Sequence, residues 1–357
     1  MKIKREDLEQ TLNTVYKCVS NNKLIPITQV IGIKSNKHGL ILSATDATNY
    51  INGAVIFENN EEQEIDVCVN ADMFTKLINK FTCEFIEIKL LDKSLEIIGD
   101  GEYQLELLPD DEGNNFKFPV KDVKEFENIQ GIEIKVADII DIKKHGEKAL
   151  ATTFENPSLI NYYVGNEVIA TDSLVMSINN INLLGDIKVI FKSKFIDLLI
   201  NIPEKFILKI KEDKIIAISD KFVIFSFIGC SLEEYPVEAI KNLLESAQFE
   251  ETAKIKVSAL NAVLDRLSLF VTPYDDNAIN LKFDDGKLYV TTLKSSGVEI
   301  IESSEITKSF TCGVDIEMLK TQLSSFDADV IELSFGNDNF IRITSGNVSK
   351  LIATINN

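Results

Sequence analysis

Hydrophobic residues recur at helical spacing in six stretches of the chain, and each stretch follows a short strand-like segment. Positions that would share one helical face are Leu8, Leu12, Val15 and Val19 near the amino terminus, and Leu260, Val263, Leu264 and Leu267 in the last third. Spacings of three and four residues place such side chains on one side of a helix. The pattern therefore predicts six amphipathic helices, each entered from a strand.

These strand–helix segments fall into two sets of three. The first set begins at Met1, Ile132 and Ala253, and the second set occupies residues 65–81, 187–202 and 310–326. Three further segments, 85–108, 205–228 and 329–355, alternate hydrophobic runs with turn residues and predict antiparallel hairpins.

All nine segments follow the same order, so the chain contains a threefold repeat of about 120 residues. We predict an α+β fold of three repeated domains, residues 1–124, 125–246 and 247–357, each with two helices packed on antiparallel sheets.

The tripeptide Ala-Thr-Asp occurs at residues 44–46 and again at 170–172, at matching places in the first two repeats. In each case it ends a β-branched or apolar run. An aspartate after a strand commonly accepts hydrogen bonds from the next backbone N–H groups and so begins a turn. We predict this structural role for Asp46 and Asp172.

The composition indicates a folded chain: 45% of the residues are hydrophobic, and no apolar run is long enough to span a membrane. The first ten residues, MKIKREDLEQ, do not read as a signal peptide. The five cysteines lack CxxC spacing, which favours reduced, mostly buried thiols and a cytoplasmic location. The net charge of −19 argues against a protein that coats nucleic acid through its overall charge.

Evidence for catalysis is weak. The chain has only two histidines, His38 and His145, and we expect both on the surface because each precedes a glycine at a probable turn or helix end. No phosphate-binding loop, GxGxxG or HExxH motif occurs. We therefore expect no enzymatic activity, no metal and no cofactor, although an unrelated α+β enzyme remains an alternative.

Three further stretches lie at characteristic places in the repeat: LIPIT at 24–28, the two Ala-Thr-Asp tripeptides, and LLPDDEGNNFKFP at 107–119. In their order and spacing the chain resembles the bacterial sliding clamp, the beta subunit of DNA polymerase III. The resemblance implies three domains in a crescent and a head-to-tail homodimer that closes into a ring around double-stranded DNA without reading its sequence. It also implies a processivity factor whose partners are a replicative DNA polymerase, a clamp-loader ATPase and other clamp-motif proteins, with no membrane partner.

In that family the helices of each domain line the central hole. The six predicted helical windows together carry almost no net charge, so the acidic residues lie mostly elsewhere. Basic groups there can hold the phosphate backbone without reading bases. The candidate DNA contacts are Lys17, Lys23, Lys76, Lys80, Lys143, Lys144, Lys148, Lys194, Lys205 and Arg266.

The family also docks short peptide motifs in a hydrophobic pocket between its second and third domains. The residues that the resemblance assigns to this pocket are Thr171, Ser173, Leu174, Val175, Met176, Pro236, Ile240, Met318, Ile352, Ala353 and Thr354. The usual Gly-His-Arg-Leu and Val-Met-Pro-Met-Arg stretches are replaced here by SLVM at 173–176 and LIATINN at 351–357. The resemblance is therefore to a divergent member of the family, with an apolar, Met-containing groove.

Ring closure in the family joins the first domain of one subunit to the third domain of the other. The corresponding apolar anchors are Tyr103, Leu105, Leu269 and Phe270. For Leu105 and Leu269, a place in the core of one domain is an equally good interpretation. An alternative function is a clamp-like protein-interaction scaffold that has lost DNA encirclement, an idea motivated by the acidic second helix of the third domain.

Overall fold

The computed structural model describes the chain with the exception of residues 21, 23, 36, 58–63, 111, 120, 122, 154, 273–276, 285, 295, 305–307, 337–338 and 356–357. The chain divides into two compact units. The first consists of Met1–Ile139 with Lys194–Ile228, and the second of Ile140–Ser193 with Gly229–Asn357. The three predicted domain boundaries stay a prediction, because this division follows packing rather than the sequence repeat.

The first unit holds two antiparallel sheets. One has four strands in the order β1-β6-β7-β8, and the other has eight in the order β5-β2-β3-β4-β16-β15-β14-β9. Its strands are β1 (Lys2–Lys4), β2 (Val30–Ser35), β3 (Gly39–Thr45), β4 (Tyr50–Ile56), β5 (Asp66–Asn70), β6 (Phe85–Leu90), β7 (Ser94–Ile98), β8 (Glu102–Glu106), β9 (Ile132–Lys135), β14 (Lys205–Lys211), β15 (Lys214–Ile218) and β16 (Phe222–Phe227).

The second unit repeats this plan with an eight-stranded sheet, β13-β10-β11-β12-β24-β23-β22-β17, and a four-stranded sheet, β20-β19-β18-β21. Its strands are β10 (Asn161–Val164), β11 (Val168–Thr171), β12 (Val175–Asn179), β13 (Val189–Lys192), β17 (Phe249–Lys256), β18 (Ala278–Asp284), β19 (Lys287–Thr292), β20 (Val298–Glu302), β21 (Phe310–Asp315), β22 (Val330–Gly336), β23 (Phe340–Ser345) and β24 (Val348–Ala353).

Seven α-helices are formed by the described residues. They are α1 (Arg5–Tyr16), α2 (Ala71–Ile78), α3 (Val136–Gly146), α4 (Ser193–Leu199), α5 (Val237–Ser246), α6 (Val257–Leu267) and α7 (Ile316–Leu323). Six of them are the predicted helices, each following a strand. Each third of the chain thus contributes eight strands and two of the predicted helices, and the second third adds α5, which confirms the predicted α+β fold of three repeated domains.

Each eight-stranded sheet is assembled from halves that belong to consecutive repeats. In the first unit the two halves meet where β4 pairs with β16, and in the second unit where β12 pairs with β24. The four-stranded sheets are unjoined halves of the same kind. The sequence repeat is therefore also a repeat of joints between half-sheets.

Helix α5 is not one of the six helices that the hydrophobic pattern predicts. Val237 and Ile240 on this helix are buried, and Leu243 and Leu244 pack against the same apolar cluster. Their spacing of three and four residues is a helical signal that the charged neighbours Glu238, Lys241 and Glu245 obscured. The helix covers one face of the second eight-stranded sheet.

Local chemistry explains where the predicted helices begin. The Asn70 side chain accepts a hydrogen bond from the Met73 N–H at 2.9 Å, and Asp315 does the same for Met318 at 2.8 Å. Such caps satisfy backbone donors that a helix leaves unpaired at its start. Helix α1 buries Leu8, Leu12 and Val15, as its spacing predicts.

A fully buried lysine lies in the second unit. Lys350 on β24 has no exposed surface, and its ammonium nitrogen donates to Gln322 Oε1 at 2.8 Å. Gln322 Nε2 in turn donates to the Lys148 carbonyl at 2.8 Å. Burial, with a smaller contribution from the charge of Lys148, lowers the pKa of Lys350 to about 7.

His145 belongs to the same cluster and corrects a prediction: it is buried, with 8% exposure, rather than on the surface. Its ring lies 5.5 Å from that of Phe326, and its Nε2 is 3.4 Å from Asp141 Oδ1. Burial lowers the pKa of His145, and the negative charge of Asp141 acts in the opposite direction but is the smaller effect. Gly146 correctly indicated a helix end, but the local sequence did not indicate that Phe326 would pack against the His145 ring.

The cysteines are free thiols. Cys18 and Cys68 are buried, whereas Cys83, Cys230 and Cys312 are partly exposed. Desolvation raises the pKa of Cys18, Cys68 and Cys312 to about 12, so these three remain protonated at neutral pH. None of the described residues forms a helix long and apolar enough to cross a membrane.

Candidate functional site

The second Ala-Thr-Asp tripeptide forms the turn between β11 and β12. Thr171 Oγ1 donates to the Val175 carbonyl at 2.7 Å and accepts from the Ser173 N–H at 3.1 Å. Asp172 Oδ1 accepts from the N–H groups of Leu174 and Val175 at 2.8 and 2.7 Å. Ser173 has a φ of 81°, a left-handed conformation that this bonding holds in place.

The first tripeptide makes the same turn in the first unit. Thr45 Oγ1 donates to the Asn49 carbonyl at 2.7 Å, Asp46 Oδ1 accepts from Thr48 and Asn49, and Ala47 has a φ of 80°. The predicted structural role of Asp46 and Asp172 is confirmed by these bonds.

The Asp172 carboxylate should therefore contribute measurably to stability. We expect Asp172→Ala to lower the free energy of unfolding by about 1–2 kcal/mol, because two backbone N–H groups lose a charged acceptor. Urea titration measures the change. Asp172→Asn keeps the accepting oxygen and should lose less, and equal losses in the two variants would contradict this explanation.

A cavity of about 190 Å³ lies beside this turn in the second unit. Its walls come from the turn, helix α5 and strands β23 and β24. The lining residues are Leu159, Thr171, Ser173, Leu174, Val175, Met176, Pro236, Ala239, Ile240, Leu243, Phe340 and Leu351.

Seven of the residues predicted for the partner pocket line this cavity: Thr171, Ser173, Leu174, Val175, Met176, Pro236 and Ile240. Met318, Ile352, Ala353 and Thr354 do not. Successive side chains of a strand point to opposite faces, and on β24 Leu351 faces the cavity while Ile352 is buried in the opposite core. The resemblance placed the wall one residue out of register.

Other predicted residues lie near the cavity without lining it. The Ala353 N–H donates to the Leu174 carbonyl at 2.9 Å, and the Thr354 N–H donates to the Asn339 carbonyl at 2.8 Å. Met318 packs against the core beneath α7. The residues that sequence reasoning missed are Leu159, Ala239, Leu243, Phe340 and Leu351; the spacing of α5 could have revealed two of them.

The chemistry of the cavity is apolar. None of the described lining residues is charged, and the hydroxyls of Thr171 and Ser173 are occupied by hydrogen bonds to the backbone of the turn. Leu174 is 56% exposed at the rim. Such a cavity can bind aliphatic or aromatic side chains but offers no charged partner to a ligand.

Most of the predicted DNA-contacting cations have a partner within their own unit. Lys17 donates to Asn201 Oδ1 and Lys148 to Ser324 Oγ, both at 2.6 Å. The cations that pair with carboxylates are Lys76, Lys143, Lys144, Lys205 and Arg266. Lys80 and Lys194 have no ion-pair partner among the described residues, and Lys23 lies outside them.

The four predicted interface residues differ in exposure. Leu269 is 81% exposed, Phe270 54% and Tyr103 43%, whereas Leu105 is buried in the first unit opposite Leu95. Leu105 thus has the intradomain position that was its alternative interpretation, and Leu269 does not. No described group of three or more His, Cys, Asp and Glu side chains is arranged to hold a metal ion.

Comparison with known families and structures places these features in context. Residues 1–130 match the family model described as the DNA polymerase III beta subunit, N-terminal domain. A search of curated proteins gave no significant sequence match.

Three solved structures are similar over the whole chain. The sliding clamp of Bacillus subtilis has 17% identity and a TM-score of 0.85, with 100% of this chain and 98% of that chain covered. The DNA polymerase III beta subunit of Thermotoga maritima has 13% identity and a TM-score of 0.85, and a sliding clamp of Pseudomonas aeruginosa bound to griselimycin has 15% and 0.88; each covers 100% of this chain and 99% of the other. The resemblance predicted from the sequence is confirmed at the level of the fold: the chain has the three-domain fold of the bacterial sliding clamps, and its residues 1–130 match the beta-subunit family model.

Proposed function

We propose that the protein is a DNA polymerase processivity factor, a sliding clamp that encircles double-stranded DNA as a head-to-tail homodimer in the cytoplasm. It performs no reaction of its own. A clamp-loader ATPase places it on DNA, and its apolar pocket tethers a replicative polymerase and other replication or repair proteins. The observation that carries this proposal is the match to sliding clamps over all three repeated domains at TM-scores of 0.85 to 0.88.

The joints between half-sheets support the homodimer. Strand β4 pairs with β16, and β12 pairs with β24, which are the same joint in consecutive repeats. By repeat position, β20 corresponds to β4 and β12, and β8 corresponds to β16 and β24. Both β8 and β20 are edge strands within their own units. A second copy that pairs its β8 with β20 of the first would make the same joint again, and the two different edges make the contact head to tail.

Exposed apolar side chains beside β20 fit this role. Val298 and Ile300 on the strand are 57% and 54% exposed, and Leu269 and Phe270, which follow the helix α6 that contacts β20, are exposed as well. Apolar side chains that are exposed to solvent in an isolated chain often form the core of an interface between chains. Tyr103 on β8 is the matching exposed aromatic residue.

Retention on DNA tests the proposal. The protein is loaded onto nicked circular plasmid with the clamp loader of its host, separated from free protein by gel filtration, and followed after the plasmid is linearised. We expect it to stay with the circle and to be lost from the linear form. We expect Leu269→Asp to be monomeric by analytical ultracentrifugation and not to be retained, because a buried carboxylate would oppose the joint. Ile187→Asp, at another exposed apolar position, is the matched control and should behave as wild type.

Two outcomes would contradict the proposal. Equal retention on circular and linear DNA would indicate ordinary adhesion rather than encirclement. No retention on the circle, with a loader that loads its own clamp, would leave the protein-interaction scaffold as the function.

A further inference from the structure

The carboxylates next to the predicted DNA-contacting cations form a pattern of their own. Five of these cations, in both units, form an ion pair with an aspartate or glutamate. The sequence showed that the six helical windows together carry almost no net charge. The structure shows that carboxylates in these windows, and others brought close by folding, pair with five of the predicted DNA-contacting cations.

In the first unit the pairs are local. Lys76 Nζ lies 2.7 Å from Asp72 Oδ2, one turn earlier on α2, and this bond lowers the pKa of Asp72. Lys205 Nζ lies 2.8 Å from Glu133 Oε2 on β9, which pairs with the strand that Lys205 begins.

In the second unit two pairs join distant parts of the chain. Lys144 on α3 pairs with Asp327, which follows α7 and is 83% exposed; the hydrogen bond from Lys144 lowers the pKa of Asp327. Arg266 on α6 makes two hydrogen bonds to Glu299 on β20. Lys143 lies 2.6 Å from Glu147 Oε1.

These pairs are not explained by helix stability alone. Only the Asp72–Lys76 pair has the acid one turn before the base, which is the favourable order along a helix; Lys143–Glu147 has the reverse order. The pairs of Lys144 and Lys205 link separate elements in exposed surroundings, where an ion pair adds little to stability. A phosphate group can therefore displace such a carboxylate at low cost.

We propose that Asp72, Glu133, Glu147, Glu299 and Asp327 are built-in competitors for the DNA phosphates, so that the protein holds duplex DNA weakly and with a shallow dependence on salt. This inference rests on the proposed function. Each cation must leave its carboxylate before it contacts a phosphate, and the displaced carboxylate then repels the DNA. A clamp that must slide gains from contacts that are exchanged readily rather than held.

Glu133→Gln and Asp327→Asn, beside Lys205 and Lys144, test the inference, since each keeps the shape of the side chain and removes one negative charge. The matched control is Glu250→Gln, which removes the same charge next to Lys308, 2.6 Å away and not among the predicted DNA contacts. The probe is a short linear duplex labelled with a fluorophore. Its dissociation constant is measured by anisotropy at salt concentrations from about 50 to about 200 mM, the range in which phosphate contacts lose strength.

We expect each of the two variants to bind the duplex about two- to fivefold more tightly than wild type, as the release of one exposed ion pair allows. The slope of log affinity against log salt should steepen by up to about 0.9 for each lysine released. Glu250→Gln should match wild type in both measurements.

Unchanged affinity and slope in both variants, with measurable binding by wild type, would overturn the inference and leave the proposed function standing. An equal gain in Glu250→Gln would overturn it in favour of an effect of total charge. If neither wild type nor the variants bind the duplex at about 50 mM salt and wild type is also not retained on circular DNA, the proposed function itself fails and this inference with it.

Discussion

The free energy of unfolding of the second unit should rise by about 2 kcal/mol between pH 7 and pH 9, and this rise should disappear in Lys350→Met. Lys350 has an ordinary pKa of 10.5 and a pKa of about 7 in the folded protein. Between these values the unfolded chain binds a proton that the folded chain does not. The free energy of unfolding is therefore highest above the pKa that Lys350 has in the unfolded chain, and it decreases as the pH falls toward 7.

The groups around Lys350 do not cancel this effect. Its amine faces the neutral Gln322 and the cationic Lys148, and His145 lies in the same cluster, with Asp141 as the carboxylate nearest to that histidine. The measurement stops at pH 9 because Cys312 of the second unit has a pKa that burial raises from 9 to about 12, so that ionisation of this thiol in the unfolded chain lowers the free energy of unfolding at higher pH.

Urea titrations at each pH, with amide hydrogen exchange of β24 to follow the second unit, give the free energy. Lys308→Met is the matched control, because Lys308 is exposed and bonded to Glu250, which raises its pKa. The control should keep the wild-type rise. A rise of the same size in Lys350→Met would show that another group titrates, and the assignment to Lys350 would be wrong. A comparison of wild type and Lys350→Met at pH 7 alone is a less direct test, since methionine leaves Gln322 Oε1 without its hydrogen-bond donor.

The second large effect concerns the pocket. We expect the double variant Leu174→Asp and Phe340→Ala to weaken peptide binding by roughly 30-fold or more, which corresponds to about 2 kcal/mol. Leu174 lies at the rim and Phe340 in the wall of the apolar cavity. A carboxylate at the rim must lose water when an apolar anchor enters, and truncation of the phenyl ring removes contact area.

The probe is a fluorescent pentapeptide with adjacent leucine and phenylalanine side chains and no charged residue. Binding is followed by anisotropy and by calorimetry. Ile187→Asp, also at an exposed apolar residue but away from the lining, is the control and should bind as wild type does. Undiminished binding by the double variant, with its thermal unfolding unchanged, would show that the peptide docks elsewhere.

The repeat, the six helices and the antiparallel hairpins were predictable from the sequence because each produces a local periodic spacing of hydrophobic residues. Leu260, Val263 and Leu264, for example, are buried on α6 as their spacing requires. The turn role of Asp46 and Asp172 was predictable for the same reason, since their partners lie two and three residues away.

What could not be predicted depends on distant parts of the chain. The burial of His145 and Lys350 follows from the packing of α3, α7 and β24, and no local signal marks a lysine that folding will bury. The pairs Lys144–Asp327 and Arg266–Glu299 join residues far apart in sequence. To predict which β24 side chain lines the cavity, one must know the strand register, because a shift of one residue exchanges Leu351 for Ile352.

In the turn beside the cavity, the residues that stabilise the turn differ from the residue whose side chain is exposed to a bound ligand. Its hydrogen bonds come from Thr171 and Asp172, and the left-handed backbone constrains only Ser173. Leu174 supplies backbone bonds and a side chain in solvent, so its identity can vary at little cost to folding. Single substitutions at this position can therefore change which apolar ligand the cavity accepts, while the joined sheets stay the same.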